Sequence, residues 1–164
     1  IYGVSAFGLS NQTALNRTEA KALIETYYAT YPKLSAFIAD QIHFARENGY
    51  VKTISDRRRY LKDINSRNAV VRGAAERNAV NAPIQGSAAD VIKIAMIRIH
   101  DKLIEGNYKT KMLLQVHDEL VFDVFKPEID AIKAMIKSEM ENAYSMRVPL
   151  DVEIDLGENW LEAH

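Results

Sequence analysis

The stretch Gln115-Val116-His117-Asp118-Glu119-Leu120-Val121-Phe122 decides how this chain is read. An apolar run, Met112 to Val116, leads into it, and a second, Leu120 to Phe125, leads out. Both are short and rich in Val, Leu and Phe, the composition of strands. The three polar residues between them, His117, Asp118 and Glu119, predict an antiparallel hairpin with a three-residue loop. Such loops place one residue at positive φ and usually use Gly or Asn there. This loop has neither, so it is either strained or longer than three residues.

Two adjacent carboxylates on a short turn between buried strands have little freedom. Such a tip suits Mg²⁺, a hard cation that takes one or two protein carboxylates and completes its octahedron with water and phosphate. One tip makes half a site, and a second carboxylate has to come from elsewhere. Asp is also an ordinary residue of solvated tight turns, so the local pattern leaves both readings open.

The chain has 164 residues, 48% apolar and 26% charged, which is one domain or two closely joined lobes of soluble composition. It has no Cys, which excludes disulfides, thiolate metal sites and cysteine nucleophiles. No apolar run reaches membrane-spanning length and no signal peptide is visible, so a cytoplasmic protein without a membrane partner is expected. The start at Ile1-Tyr2-Gly3, without Met, reads as a piece of something longer. The net charge of −1 hides an asymmetry. Residues 1–110 carry 16 Lys and Arg against 10 Asp and Glu, whereas residues 111–164 carry 5 against 12. The first part suits phosphate; the second suits metal or plain solvent.

Residues 2–9 are mixed, loosened by Gly3 and Gly8. Asn16 with Glu19 three residues on predicts a capped helix ending before Pro32. Tyr27, Tyr28 and Tyr31 on it suggest either core packing or a base-stacking surface, with packing the simpler reading. A second helix is expected over 33–47, stopped by Asn48-Gly49. A short hairpin over 50–61 has a basic return strand. From Lys52 to Arg77 eight basic residues meet three acidic ones, which is either a solvated face or a phosphate-tracking surface. A helix over 66–82 places Arg77 and Asn81 on one face, with Gln85 beyond Pro83. Their side chains are donors suited to the minor-groove N3 and O2 acceptors that every base pair presents. A further helix over 88–104, a helix over 127–144, and an alternating strand over 150–156 complete the chain. The predicted fold class is α+β: a mainly helical first part, then a small antiparallel sheet packed against helices.

These residues resemble the A family of DNA polymerases. The stretch 115–122 resembles that family's third polymerase motif. Asn81-Ala82-Pro83-Ile84-Gln85-Gly86-Ser87-Ala88-Ala89-Asp90 resembles the entry to its palm helix, Ile1-Tyr2-Gly3 the end of its fingers helix, and Gly157-Glu158-Asn159-Trp160 its C-terminal ending. The resemblance implies part of the fingers in 1–70 and the later palm in 71–164. It implies two-metal nucleotidyl transfer from a dNTP to a primer 3′ hydroxyl, in bacterial replication and repair. Asp118 would be a catalytic, metal-holding carboxylate for Mg²⁺, with Glu119 beside it. His117 would meet the primer terminus, Arg77, Asn81 and Gln85 the primer–template minor groove, and Tyr2 the incoming nucleotide. The family often has Gly at the position of Asp56 and Pro at that of Lys62. Its first catalytic aspartate and triphosphate clamp would lie upstream, in a missing N-terminal part, so the segment alone is expected to be inactive. Two other readings are a non-catalytic duplex-binding module and a His-Asp metal phosphohydrolase.

Overall fold

A computed structural model describes residues 4–163. It contains two compact units, residues 1–87 and 88–164, and the architecture is α+β. Helix α1 (Ala6–Gln12) is followed by α2 (Arg17–Thr30) and α3 (Pro32–Asn48). Strands β1 (Tyr50–Lys52) and β2 (Arg58–Tyr60) form one antiparallel pair, with Tyr50 opposite Tyr60. Helix α4 (Ala69–Glu105) leads to the second pair, β3 (Lys111–Val116) and β4 (Glu119–Asp123), and α5 (Ile129–Glu141) follows.

The expected capping box is present. Asn16 Oδ1 accepts from the Thr18 and Glu19 amides, and Glu19 Oε2 accepts from the Asn16 amide at 2.9 Å. Gly49 ends α3 in the left-handed region at φ 76°, where only glycine is free of strain. Tyr27 packs its ring against Tyr28 and Tyr31, with centroids 5.7 and 5.0 Å away. Tyr31 stays exposed, so this is a surface cluster and not a core.

Three expectations change. Residues 6–12, which overlap the stretch read as mixed, form α1, with Ser5 Oγ accepting from the Gly8 amide as the cap of a short helix. The two helices expected on either side of Pro83 are one helix of 37 residues. Proline removes one intrahelical donor and crowds the preceding turn, yet here the helix runs through it. The third change is at 150–156, which forms no ladder with any described strand. Leu150, Val152 and Ile154 are half-buried and Asp151, Glu153 and Asp155 are exposed, as the alternation predicts, but Leu156, expected inside, is exposed. Ile154 packs on the core of the second unit. A strand, however, exists only through a partner for its backbone groups, and no described element pairs with this one.

Each unit has its own core. In the first, Ala45, Val51, Leu61, Ile64, Ala75 and Ala79 pack together. In the second, Ala95, Ile99 and Leu103 of α4 meet Ile132 and Ile136 of α5, with Met112, Leu120 and Phe122 of the hairpin against them. Arg98 Nη1 donates to the Asn142 carbonyl, and Lys102 pairs with Glu139, so α4 and α5 are also tied by charge.

Candidate functional site

The β3–β4 hairpin pairs Val116 with Glu119. Its loop is therefore two residues, His117 and Asp118, not three, and Glu119 opens β4. The positive φ that such a loop needs falls on His117, at 54°. Asp118 is not in that region, which is the sign pattern of a type II′ turn. That position prefers glycine; a side chain there costs on the order of 1–2 kcal/mol. A register shift between Met112 and Leu114 adds local twist to the hairpin. The Asp118 carboxylate is exposed at the tip, His117 is exposed beside it, and Glu119 is half-buried. Sequence reasoning passed over one feature of this turn. Gln115 Nε2 donates to the His117 carbonyl at 2.7 Å. The signal was available: an amide side chain two residues before a position that must be left-handed.

No group of three or more His, Asp or Glu side chains among the described residues is arranged to hold a metal. Asp118 with Glu119 fits the smaller demand that Mg²⁺ makes of a protein, one or two carboxylates with water and phosphate completing the shell. It does not fit the several-His cluster of a His-Asp phosphohydrolase.

In the first unit, continuity through Pro83 puts Arg77, Asn81 and Gln85 on a single helix. Steps of four residues keep all three on one slowly drifting face. Arg77 and Gln85 are exposed and Asn81 is half-buried. The Asn81 Oδ1 atom is buried with no hydrogen-bond partner, an uncommon condition for a buried polar atom.

The β1–β2 turn is docked on the same helix. The Ile54 amide donates to Ser87 Oγ at 2.8 Å, and Ser87 Oγ donates in turn to the Pro83 carbonyl. Arg57 Nη2 donates to the Gly86 carbonyl at 3.0 Å. Gly86 is required by this contact, since a Cβ there would sit 2.6 Å from Thr53 Cγ2. Asp56 takes φ 61° in the turn, a left-handed conformation that favours glycine.

The basic stretch divides by use. Arg57 is committed to the helix, Arg72 donates to the Ser66 carbonyl, and Lys52 pairs with Asp56 at 3.0 Å. Arg58 lies over the Tyr50 ring at 4.6 Å. Arg59, Arg67 and Arg77 are exposed. Tyr2 lies outside the described residues. No described helix is long and apolar enough to cross a membrane.

Comparison with known proteins gives the lineage. A family model for DNA polymerase family A matches residues 1–162. DNA polymerase I of Streptococcus pneumoniae serotype 4 (strain TIGR4) is 50% identical over 163 residues, covering 99% of this chain and 19% of that protein. The Caldicellulosiruptor bescii enzyme is 48% identical over 162 residues, again with 99% and 19% covered. The thermostable DNA polymerase I of Thermus thermophilus is 46% identical over 163 residues, with the same coverage. Among solved structures, the POL domain of Pol1 from M. smegmatis, in complex with DNA primer-template and dNTP, matches with a TM-score of 0.95 at 42% identity. That match covers 99% of this chain and 29% of the other. The chain thus spans about a fifth of its curated relatives' length, 19%, and over nearly all of its own length it belongs to DNA polymerase family A.

Proposed function

We propose that this chain serves template-directed DNA synthesis as part of a longer, bacterial DNA polymerase I. The fingers portion would be residues 1–70 and the later palm 71–164. In the reaction a primer 3′ hydroxyl attacks the α-phosphate of a dNTP and releases pyrophosphate. The observation that carries the reading is the exposed Asp118 carboxylate at the tip of a two-residue turn between paired strands.

Asp118 would hold Mg²⁺ together with a carboxylate from outside this chain, and Glu119 would tune the site or its waters. Bound Mg²⁺ supplies charge neutralisation at the attacking and leaving oxygens. The rest is positioning, which dominates phosphoryl chemistry. His117, exposed beside Asp118, would meet the primer terminus. Arg77 and Gln85 present donors to the minor groove. Asn81, half-buried on the same face, would add its side-chain amide as a further donor to the minor-groove acceptors. This contact senses pairing geometry without choosing a sequence. Tyr2 would lie at the insertion site.

The test is Asp118→Asn in the polymerase that contains this segment. Incorporation should fall on the order of 100- to 1000-fold, the range for removing one preorganised electrostatic group, with primer–template affinity unchanged. Equal loss of both would make Asp118 a structural residue.

A further inference from the structure

We propose that Gln115 is a positioning residue for the catalytic turn: its side-chain amide locks the peptide between His117 and Asp118 in one of two available orientations. The proposal rests on the reading of Asp118 as the metal-holding carboxylate.

The turn is poorly determined by its own sequence. Its two loop residues are His117 and Asp118. His and Asp are both among the residue types that tolerate the left-handed region. With positive φ at His117 alone, the turn has the type II′ pattern. Flipping the central peptide gives the type I′ pattern, with Asp118 at positive φ as well. Neither residue forbids that flip, and glycine, which would settle the matter by preferring one form, is absent.

Gln115 settles it from outside the loop. The His117 carbonyl and the Asp118 amide belong to one rigid planar group. The Gln115 Nε2 donates to that carbonyl at 2.7 Å. A flipped peptide would turn the carbonyl away and lose this bond. Holding the plane fixes where the Asp118 backbone starts, and so where its carboxylate is aimed. Gln115 itself is exposed on β3, opposite Leu120. It contributes nothing to the core, so its removal should not unfold the hairpin.

The experiment uses Gln115→Met and Gln115→Glu in the polymerase that contains this segment. Both side chains match glutamine in length and neither donates a hydrogen bond. The kcat for single-nucleotide incorporation should fall about tenfold, roughly the rate counterpart of one lost hydrogen bond. The KM for dNTP and the affinity for primer–template should not change, while the Mg²⁺ concentration for half-maximal rate should rise. Melting temperatures should hold, and in the isolated chain the amide signals of His117 and Asp118 should shift in the nuclear magnetic resonance spectrum. Unchanged kcat and Mg²⁺ dependence in both variants, while Asp118→Asn abolishes incorporation, would overturn the proposal. So would a rate loss matched by a fall in melting temperature. If Asp118→Asn leaves incorporation intact, the functional reading fails instead, and the two amide signals still report whether Gln115 holds the turn.

Discussion

Glu128 ties the base of the β3–β4 hairpin to the segment that follows it. Its Oε1 accepts from the Lys109 amide, and its Oε2 from the Thr110 amide and hydroxyl at 3.0 and 2.7 Å. Thr110 Oγ1 in turn accepts from the Phe125 amide at 3.2 Å. Partial burial opposes the charged carboxylate, but these donors and the nearby Lys109 charge outweigh it, and the pKa lies below the ordinary glutamate range. A carboxyl with a lowered folded pKa stabilises the fold fully above its unfolded value, and the contribution is lost as pH falls through the folded value. Glu128→Gln should therefore melt a few degrees below the wild type at neutral pH. The gap should close as pH drops below about 4, because protonation then does to Glu128 what the substitution did. Thermal melts of both proteins across that range check it; a constant gap would mean the charge is not what holds the hairpin base. None of this clasp was visible in the sequence. Glu128 lies 18 residues from Thr110, and local patterns carry no sign of a partner so far away.

At the scale of elements, the β1–β2 turn docks on α4 beside its internal proline, Pro83. The turn supplies hydrogen bonds at Gly86 and Ser87, just past Pro83. Gly86→Ala should lose stability although alanine is the better helix former. Its Cβ would meet Thr53 Cγ2, and Thr53 cannot swing aside freely because its Oγ1 accepts from the Arg57 amide at 3.2 Å. Overpacking costs ~1–3 kcal/mol against a propensity gain of about 1 kcal/mol, so a net loss of about 1 kcal/mol is expected. Thr53→Ser removes the offending methyl and keeps the hydroxyl, and should recover most of that loss in the double variant, as a double-mutant cycle by thermal denaturation would report. An additive cycle would place the strain elsewhere. The same contact shows why the elements were only partly legible. Asn16 with Glu19, Gly49, and the two apolar runs around Asp118 act locally, and each was readable. Ser87 and Gly86 of α4 meet Ile54 and Arg57 of a turn about 30 residues away, contacts that the local rule for proline, which broke the helix at 83, could not take into account. At 150–156 the alternation was readable but the ladder was not, because pairing belongs to the partner strand. The hairpin loop was misjudged by one residue because register, set by Val116 opposite Glu119, decides which polar residues belong to strands.

At the scale of the molecule, charge and chemistry are separated along the chain, and this predicts what the 164-residue protein does alone. Its net charge is −1, so no overall attraction to DNA is available. The excess of basic residues lies in 1–110, and the exposed Arg59, Arg67 and Arg77 with Gln85 belong to it. The acidic tip at Asp118 falls in the part with 5 basic against 12 acidic residues. A single tip carboxylate holds Mg²⁺ weakly, since the ion's affinity comes from a second carboxylate and from substrate phosphate. The isolated chain should therefore bind duplex DNA through the basic part without catalysing extension. Binding should weaken with salt, with a slope of about −3 to −5 in log affinity against log salt if roughly three to five phosphates are engaged. It should respond neither to Mg²⁺ nor to Asp118→Asn, whereas Arg77→Ala should weaken it. Primer extension and a salt titration on the purified chain decide this together. Template-directed incorporation by the 164 residues alone would show that the carboxylate pair at the turn suffices for the metal chemistry. Duplex affinity that tracks Asp118 and Mg²⁺, rather than Arg77 and salt, would put the binding face on the acidic turn instead of on α4.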